Sequence, residues 1–131
     1  MNGETDLNKL LKTMKPVHNV GDYVFCTTFD PDKIPRDKIT MMFRESEGYT
    51  VVLKKEVADR YSLAYTFIGS WITLVVHSSL EAVGLTAAFA SALSKNGISC
   101  NVVAAFYHDH IFIPLRDTEK AMSVLKELGG S

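Results

Sequence analysis

WITLVVHSSLEAVGLTAAFASALSKNGISCNVV, residues 71 to 103, is the stretch that decides the fold. It opens with a run of apolar, β-branched and aromatic residues, which reads as a strand over 71–77. Leu85, Phe89, Ala92 and Leu93 then recur at helical spacing. Ser78 and Glu81 carry the spacing of a capping box at the start of that helix. Gly97 is placed to end it in the left-handed conformation, which glycine adopts at little cost. Residues 98–106 return to an apolar, β-rich pattern, and HIFIPL, 110–115, reads as the next strand. Asp117 is placed to cap a last helix with Ala121, Met122, Leu125 and Leu128 on one stripe, and Gly129-Gly130 to end it. The order from residue 71 onward is therefore β-α-β-β-α.

The half before it is built from the same parts. Leu7, Leu10, Leu11 and Met14 give a short amphipathic helix over 6–14, stopped by Pro16. Tyr23 to Phe29 reads as a strand. DPDKIPRDK, 30–38, has two prolines and reads as a loop. Strands are expected at 39–43 and 49–53 around an ESEG turn, and a turn or two of helix in KKEVADRY. Two further strands, 64–68 and 71–77, are expected to break near Gly69-Ser70. The series strand, basic residue, acidic helix start occurs at 49–56 and again at 110–117, a weak internal repeat consistent with duplication. Helices alternating with antiparallel strand pairs predict an α+β fold, a ferredoxin-like two-layer sandwich.

Composition narrows the function. At 131 residues the chain has room for one domain, or for two very small ones sharing a core. Hydrophobic residues make up 47% and charged residues 22%, as in an ordinary globular protein. A net charge of −1 gives no bulk attraction to nucleic acid or anionic membrane. The strand at 98–106 lacks the basic and aromatic pattern by which such sheets bind RNA. Phe67 to Val76, the longest apolar run, falls short of the roughly 20 residues a spanning helix needs. The polar start MNGETD, together with lone Cys26 and Cys100, leads us to expect a cytoplasmic protein with reduced, buried thiols. Phosphate-loop, dinucleotide and nucleophile-elbow motifs are absent from the sequence.

Two stretches invite a functional reading. His108-Asp109-His110 puts two imidazoles around a carboxylate. In the internal repeat, His108-Asp109 falls where Glu47-Gly48 falls, so we expect it at the solvated tip of a hairpin. His77 is the only other histidine nearby, and a catalytic zinc takes three protein ligands. No metal and no cofactor are therefore expected. HSSLEAVG, 77–84, offers hydroxyls, helix-start N–H groups and a glycine that admits a ligand to the backbone; a plain capped helix explains the same residues.

The stretch 83–103 resembles the signature of ACT domains, the amino-acid-sensing modules of aspartate kinases, in Gly84, the helix through Leu93, Gly97 and Ile98. KPVHNVGDYVFCTTF, EGYTVVLKKEVADRY, WITLVVHSSLEAVGLTAAFASAL and ISCNVVAAFYHDHIFIPL together resemble small stand-alone bacterial proteins with two tandem ACT-like modules. The resemblance implies βαββαβ modules at 1–69 and 70–131. It implies a small-molecule ligand, most often an amino acid, and a homodimer or higher oligomer. A regulated protein partner is possible, and no nucleic acid or membrane is involved. By position it points to Ser78, Ser79, Glu81, Val83, Gly84, Leu85 and Asn101 as ligand contacts, with His108 and His110 as contacts particular to the smaller family. The first module has only a loop where its first helix belongs, and we expect the helix at 6–14 to cover that face. The second lacks a last strand, to be supplied by interleaving of the N-terminal half or by another subunit. A non-enzymatic sensor is the leading reading. A small enzyme or metal protein using His108, Asp109 and His110, and an interaction module without ligand, are the alternatives.

Overall fold

The computed structural model describes residues 7–76 and 84–130. Along the chain run helix α1 (Leu7–Thr13), strand β1 (Lys15–Thr28), strands β2 (Ile39–Glu45) and β3 (Gly48–Lys54), helix α2 (Lys55–Arg60) and strand β4 (Ile68–Val75). Helix α3 (Leu85–Lys95), strands β5 (Asn101–Ala104) and β6 (Asp109–Pro114) and helix α4 (Thr118–Leu128) follow. These elements form two compact units. The larger holds the described residues up to Val20 and from Ser70 onward; the smaller holds Gly21–Gly69.

In the larger unit the strand order is β1-β4-β6-β5, with β1 contributing its first residues. Side chains on a strand alternate between faces. Ile72, Leu74 and Val76 of the β4 segment and Ile111 and Ile113 of β6 accordingly share one buried face. Against it pack Leu85, Phe89 and Leu93, four apart along α3, and Ala121 and Leu125 of α4. Fully burying such side chains stabilises by about 1.5–3 kcal/mol each, so this layer carries the unit. α3 ends as its sequence dictates. Gly97 has φ +73°, its N–H donates to Ser94 O (2.9 Å), and the Ile98 N–H donates to Leu93 O (3.0 Å). That is a Schellman ending with Ile98 packed back into the core.

The smaller unit has the antiparallel order β2-β3-β1, with Thr28 opposite Tyr49, Tyr23 opposite Lys54 and Glu45 opposite Gly48. Val24, Cys26, Val51 and Leu53 pack on Val57 and Ala58 of α2. The architecture is the expected α+β one of antiparallel hairpins covered by helices.

Four local expectations are corrected. Residues 64–67 form no strand, and Gly69-Ser70 is not a break: both glycine and serine lie buried inside β4, which begins at Ile68. Ser70 fits a strand interior because its hydroxyl hydrogen-bonds the Thr118 hydroxyl. β1 begins at Lys15, not Tyr23, because the Asn19 amide donates to Trp71 O (3.3 Å) and to Thr73 Oγ1 (2.9 Å), tying a polar segment to β4. The helix at 6–14 does not cover the first module: Leu10 and Met14 are buried with Ile72, Phe89 and Leu125 in the larger unit. The DPDKIPRDK loop closes the smaller core itself. It forms two 3-10 turns, Pro31–Lys33 and Arg36–Lys38, and drives Ile34 between them into the cluster. The last strand of the larger unit does come from the N-terminal half, as residues 15–20 of β1.

Candidate functional site

The β5–β6 hairpin pairs Val103 with His110 and Ala104 with Asp109. Its turn closes through the Ala105 N–H, which donates to His108 O at 3.0 Å. The repeat alignment holds, since Gly48 and Asp109 each begin the second strand of their hairpin. The tip, however, is Phe106-Tyr107, 81% and 79% exposed with their rings edge to face at 5.0 Å. His108, Asp109 and His110 lie behind it and are half-buried, so the expected solvated tip is corrected: a four-residue turn puts the polar triplet at its base.

Alternation on the strand sets His110 on one face and Asp109 on the other. The His110 Nδ1 accepts the indole N–H of Trp71 at 3.0 Å and lies 3.1 Å from Thr73 Oγ1. An indole only donates, so Nδ1 carries the lone pair, the Thr73 hydroxyl donates to it, and the ring proton is on Nε2. Trp71 also stacks on Phe112 at 6.3 Å. Burial, reinforced by His108, holds the His110 pKa below 6.5, although Asp109 opposes the shift. Burial raises the Asp109 carboxyl above its usual value, against the pull of His110 and His108. His110 is thus a neutral imidazole bonded to β4, and its Nδ1 is taken. Among the described residues no three His, Cys, Asp or Glu side chains come together at metal-binding separation.

The larger unit contains a cavity of about 670 Å³ beside the turn residues Tyr107 and His108. Among the described residues it is lined by Lys9, Lys12 and Thr13 of α1, Val75 and Val76 at the end of β4, and Tyr107 and His108 of the hairpin. The walls are mostly apolar. The His108 Nδ1 is occluded from solvent and has no hydrogen-bond partner among the described residues. A buried ring nitrogen without a partner costs about 1–3 kcal/mol, and such a group calls for an explanation. Volumes of 300–1,000 Å³ with apolar walls and a few polar groups are those of small-molecule sites.

Ser78, Ser79, Glu81 and Val83 lie outside the described residues. Gly84 is the N-cap of α3, just outside its first turn, with φ +92° and ψ −13°. Its carbonyl accepts the first helical bond, from the Ala88 N–H at 2.9 Å. Leu85 is buried in the helix–sheet core, so its side chain serves packing. The Asn101 amide donates across the hairpin to Phe112 O at 3.2 Å. Of the described residues named from sequence, only His108 lines the cavity. Lys9, Lys12, Thr13 and Tyr107 were not foreseen. The helix stripe told which side of α1 is buried, but nothing in a single sequence tells what its polar side faces. Tyr107, beside the histidine pair, was the one available signal. Both thiols are packing groups: burial raises the Cys26 pKa and pushes that of Cys100 up to about 11.

Residues 2–70 match an ACT domain family, and residues 67–127 match a second ACT domain family. The chain belongs to the ACT-domain family. Its two ACT domains lie in tandem. A Vibrio cholerae protein of unknown function, described as a possible transport protein, is similar over 94% of this chain and 95% of its own. The identity is 45% and the TM-score 0.84. Aspartate kinase from Clostridium acetobutylicum shares the fold at 11% identity and TM-score 0.61, over 89% of this chain and 34% of the kinase. Escherichia coli aspartokinase III, solved with aspartate and ADP, does so at 9% identity and TM-score 0.61, over 93% and 34%. Among curated proteins no match reaches significance. Among the described residues no helix is long and apolar enough to cross a membrane.

Proposed function

We propose that this ACT protein is a small-molecule-binding regulatory protein whose ligand is an amino acid, without catalysis of its own. We put its site at the cavity of the larger unit, beside the end of β4. By their positions in the family, Ser78, Ser79, Glu81, Val83 and Gly84 are the ligand contacts proposed with His108 of the hairpin. The observation that carries this reading is the cavity, lined by Val75 and Val76 at the end of β4 and by His108, whose Nδ1 has no partner among the described residues. The tandem family matches and the fold shared with aspartate kinases support a regulatory module. Regulation would follow from differential binding: the ligand biases the packing of modules or subunits, as linkage requires. Exposed Phe29, Phe43 and Phe106 favour assembly into a homo-oligomer.

A thermal-shift screen over the twenty amino acids tests the proposal. A ligand bound only by the folded state adds about 2.7 kcal/mol of stability at a hundredfold excess over its Kd. One amino acid, or a chemically related few, is expected to raise the melting temperature. Identical melting in all twenty would sink the amino-acid reading.

A further inference from the structure

We infer that His110 and Trp71 form a proton-operated latch on the sheet of the larger unit: one proton taken up at His110 Nδ1 breaks the indole bond that ties β4 to β6. The latch works without a ligand. Nδ1 is the point on which the donors of β4 converge. The Trp71 indole N–H reaches it at 3.0 Å and the Thr73 hydroxyl at 3.1 Å. Behind Thr73, the Asn19 amide of β1 donates to the same hydroxyl oxygen at 2.9 Å. The hydrogens of this network all run toward one lone pair. The other ring nitrogen already carries its proton, so an incoming proton has only Nδ1 to occupy.

The donors answer that proton differently. A hydroxyl both donates and accepts, so Thr73 turns over and accepts from the new N–H, while its oxygen keeps the Asn19 bond. An indole only donates and has no such option. Its N–H then faces another N–H, and the bond is lost. Ring contacts remain between Trp71 and β6, with centroids 5.6 Å from His110 and 6.3 Å from Phe112. Trp71 is half-buried and lies on the face of β4 away from Ile72 and Leu74, so water is at hand for the indole.

Among the described residues, the charges that reach His110 come from its own neighbours. Asp109 precedes it on the opposite face, and the His108 ring lies 6.3 Å from its own. The strands β5 (Asn101–Ala104) and β4 (Ile68–Val75) bring no titratable side chain. On β1, Lys15 shares the face of Asn19, and His18 is on the other. Burial and His108 outweigh Asp109 and keep the latch shut at neutral pH, so it opens only as pH falls below 6.5.

Proton–nitrogen NMR of the isotope-labelled full chain, from neutral pH down to about pH 4.5, tests this. Trp71 is the only tryptophan, so the indole gives one cross-peak. That peak is expected to move with a single midpoint below pH 6.5, the same as that of the His110 ring nitrogens, while the backbone peaks stay those of a folded chain. In His110→Gln it should stay still over the same range. The proton and the indole bond exclude each other at Nδ1, so Trp71→Phe should raise the His110 midpoint, by about 0.5–1 in pH for a hydrogen bond of ordinary net strength. Should the phenylalanine variant not fold, the comparison of the parent with His110→Gln decides. An indole peak that ignores the His110 titration, or that still titrates in His110→Gln, would overturn the latch. So would a His110 midpoint unmoved or lowered in Trp71→Phe, or unfolding of the parent before His110 takes up its proton.

Discussion

Replacing Gly84 separates conformation from space at the entrance to α3. The residue has φ +92°, a left-handed conformation that an L side chain adopts at a cost of roughly 1–2 kcal/mol. Among the described residues a Cβ built there meets only Leu7 Cδ2, at 3.4 Å, an ordinary contact. Alanine reduces the freedom of the unfolded chain, but that gain appears only where the native conformation suits it. We therefore expect Gly84→Ala to destabilise by about 1 kcal/mol. Gly84→Asn should cost less, since asparagine tolerates this region, and Gly84→Val more, since a β-branched residue at positive φ is a true outlier. Gly97, at φ +73° with no described residue within 4 Å of its Cβ position, provides the internal standard, and Gly97→Ala should cost the same within a few tenths. Urea denaturation of the purified variants, compared at constant m, gives the values. An alanine variant at position 84 as stable as the parent, or a valine no worse than alanine, would refute the conformational account.

The remaining predictions concern other parts of the larger unit. Gly129→Ala should cost about 1–3 kcal/mol by urea denaturation, because its Cβ would meet the Leu11 and Met14 carbonyl oxygens, both at 3.2 Å, and backbone cannot step aside. His110 has its folded pKa held below 6.5, so the unfolded chain binds more protons just below that pH. Its contribution should be present above pH 6.5 and be lost as pH falls from there toward the folded pKa, and this part of the pH–stability slope should vanish in His110→Gln. Cys100, with its pKa near 11, should have only about one thiol in a thousand ionised at pH 8, so native protein should resist labelling by a thiol reagent that reacts rapidly in urea. Phe89→Ala should lose about 3–5 kcal/mol by denaturation, as a fully buried aromatic in the helix–sheet core.

The sequence carries its strongest signals where one residue has one physical reason to be there. Leu85, Phe89 and Leu93 mark a helix stripe, and Gly97 followed by Ile98 marks its end; each stands in the structure as the pattern requires. Signals failed where tertiary contacts overrode composition. Gly69 and Ser70 look like a turn until the Thr118 hydroxyl is brought to Ser70. Lys15 to Val20 looks like a linker until Asn19 meets β4. The Asp117 cap illustrates a smaller failure: it holds the position before α4 but makes no side-chain cap bond, because a 3-10 turn already leads into the helix. The site was legible in part. His108 stood out, but its partner groups on α1 lie some hundred residues away in sequence. His110 also stood out, and its Nδ1 joins the hydrogen-bond network of Trp71, Thr73 and Asn19.

The most direct test of the central claim is an amide NMR titration of the isotope-labelled chain with the amino acid that shifts its melting. The account predicts saturable perturbations that centre on Thr13, Val76, Gly84, Leu85 and His108 of the larger unit. Absence of saturable perturbation by any amino acid, or perturbations confined to Gly21–Gly69, would contradict it.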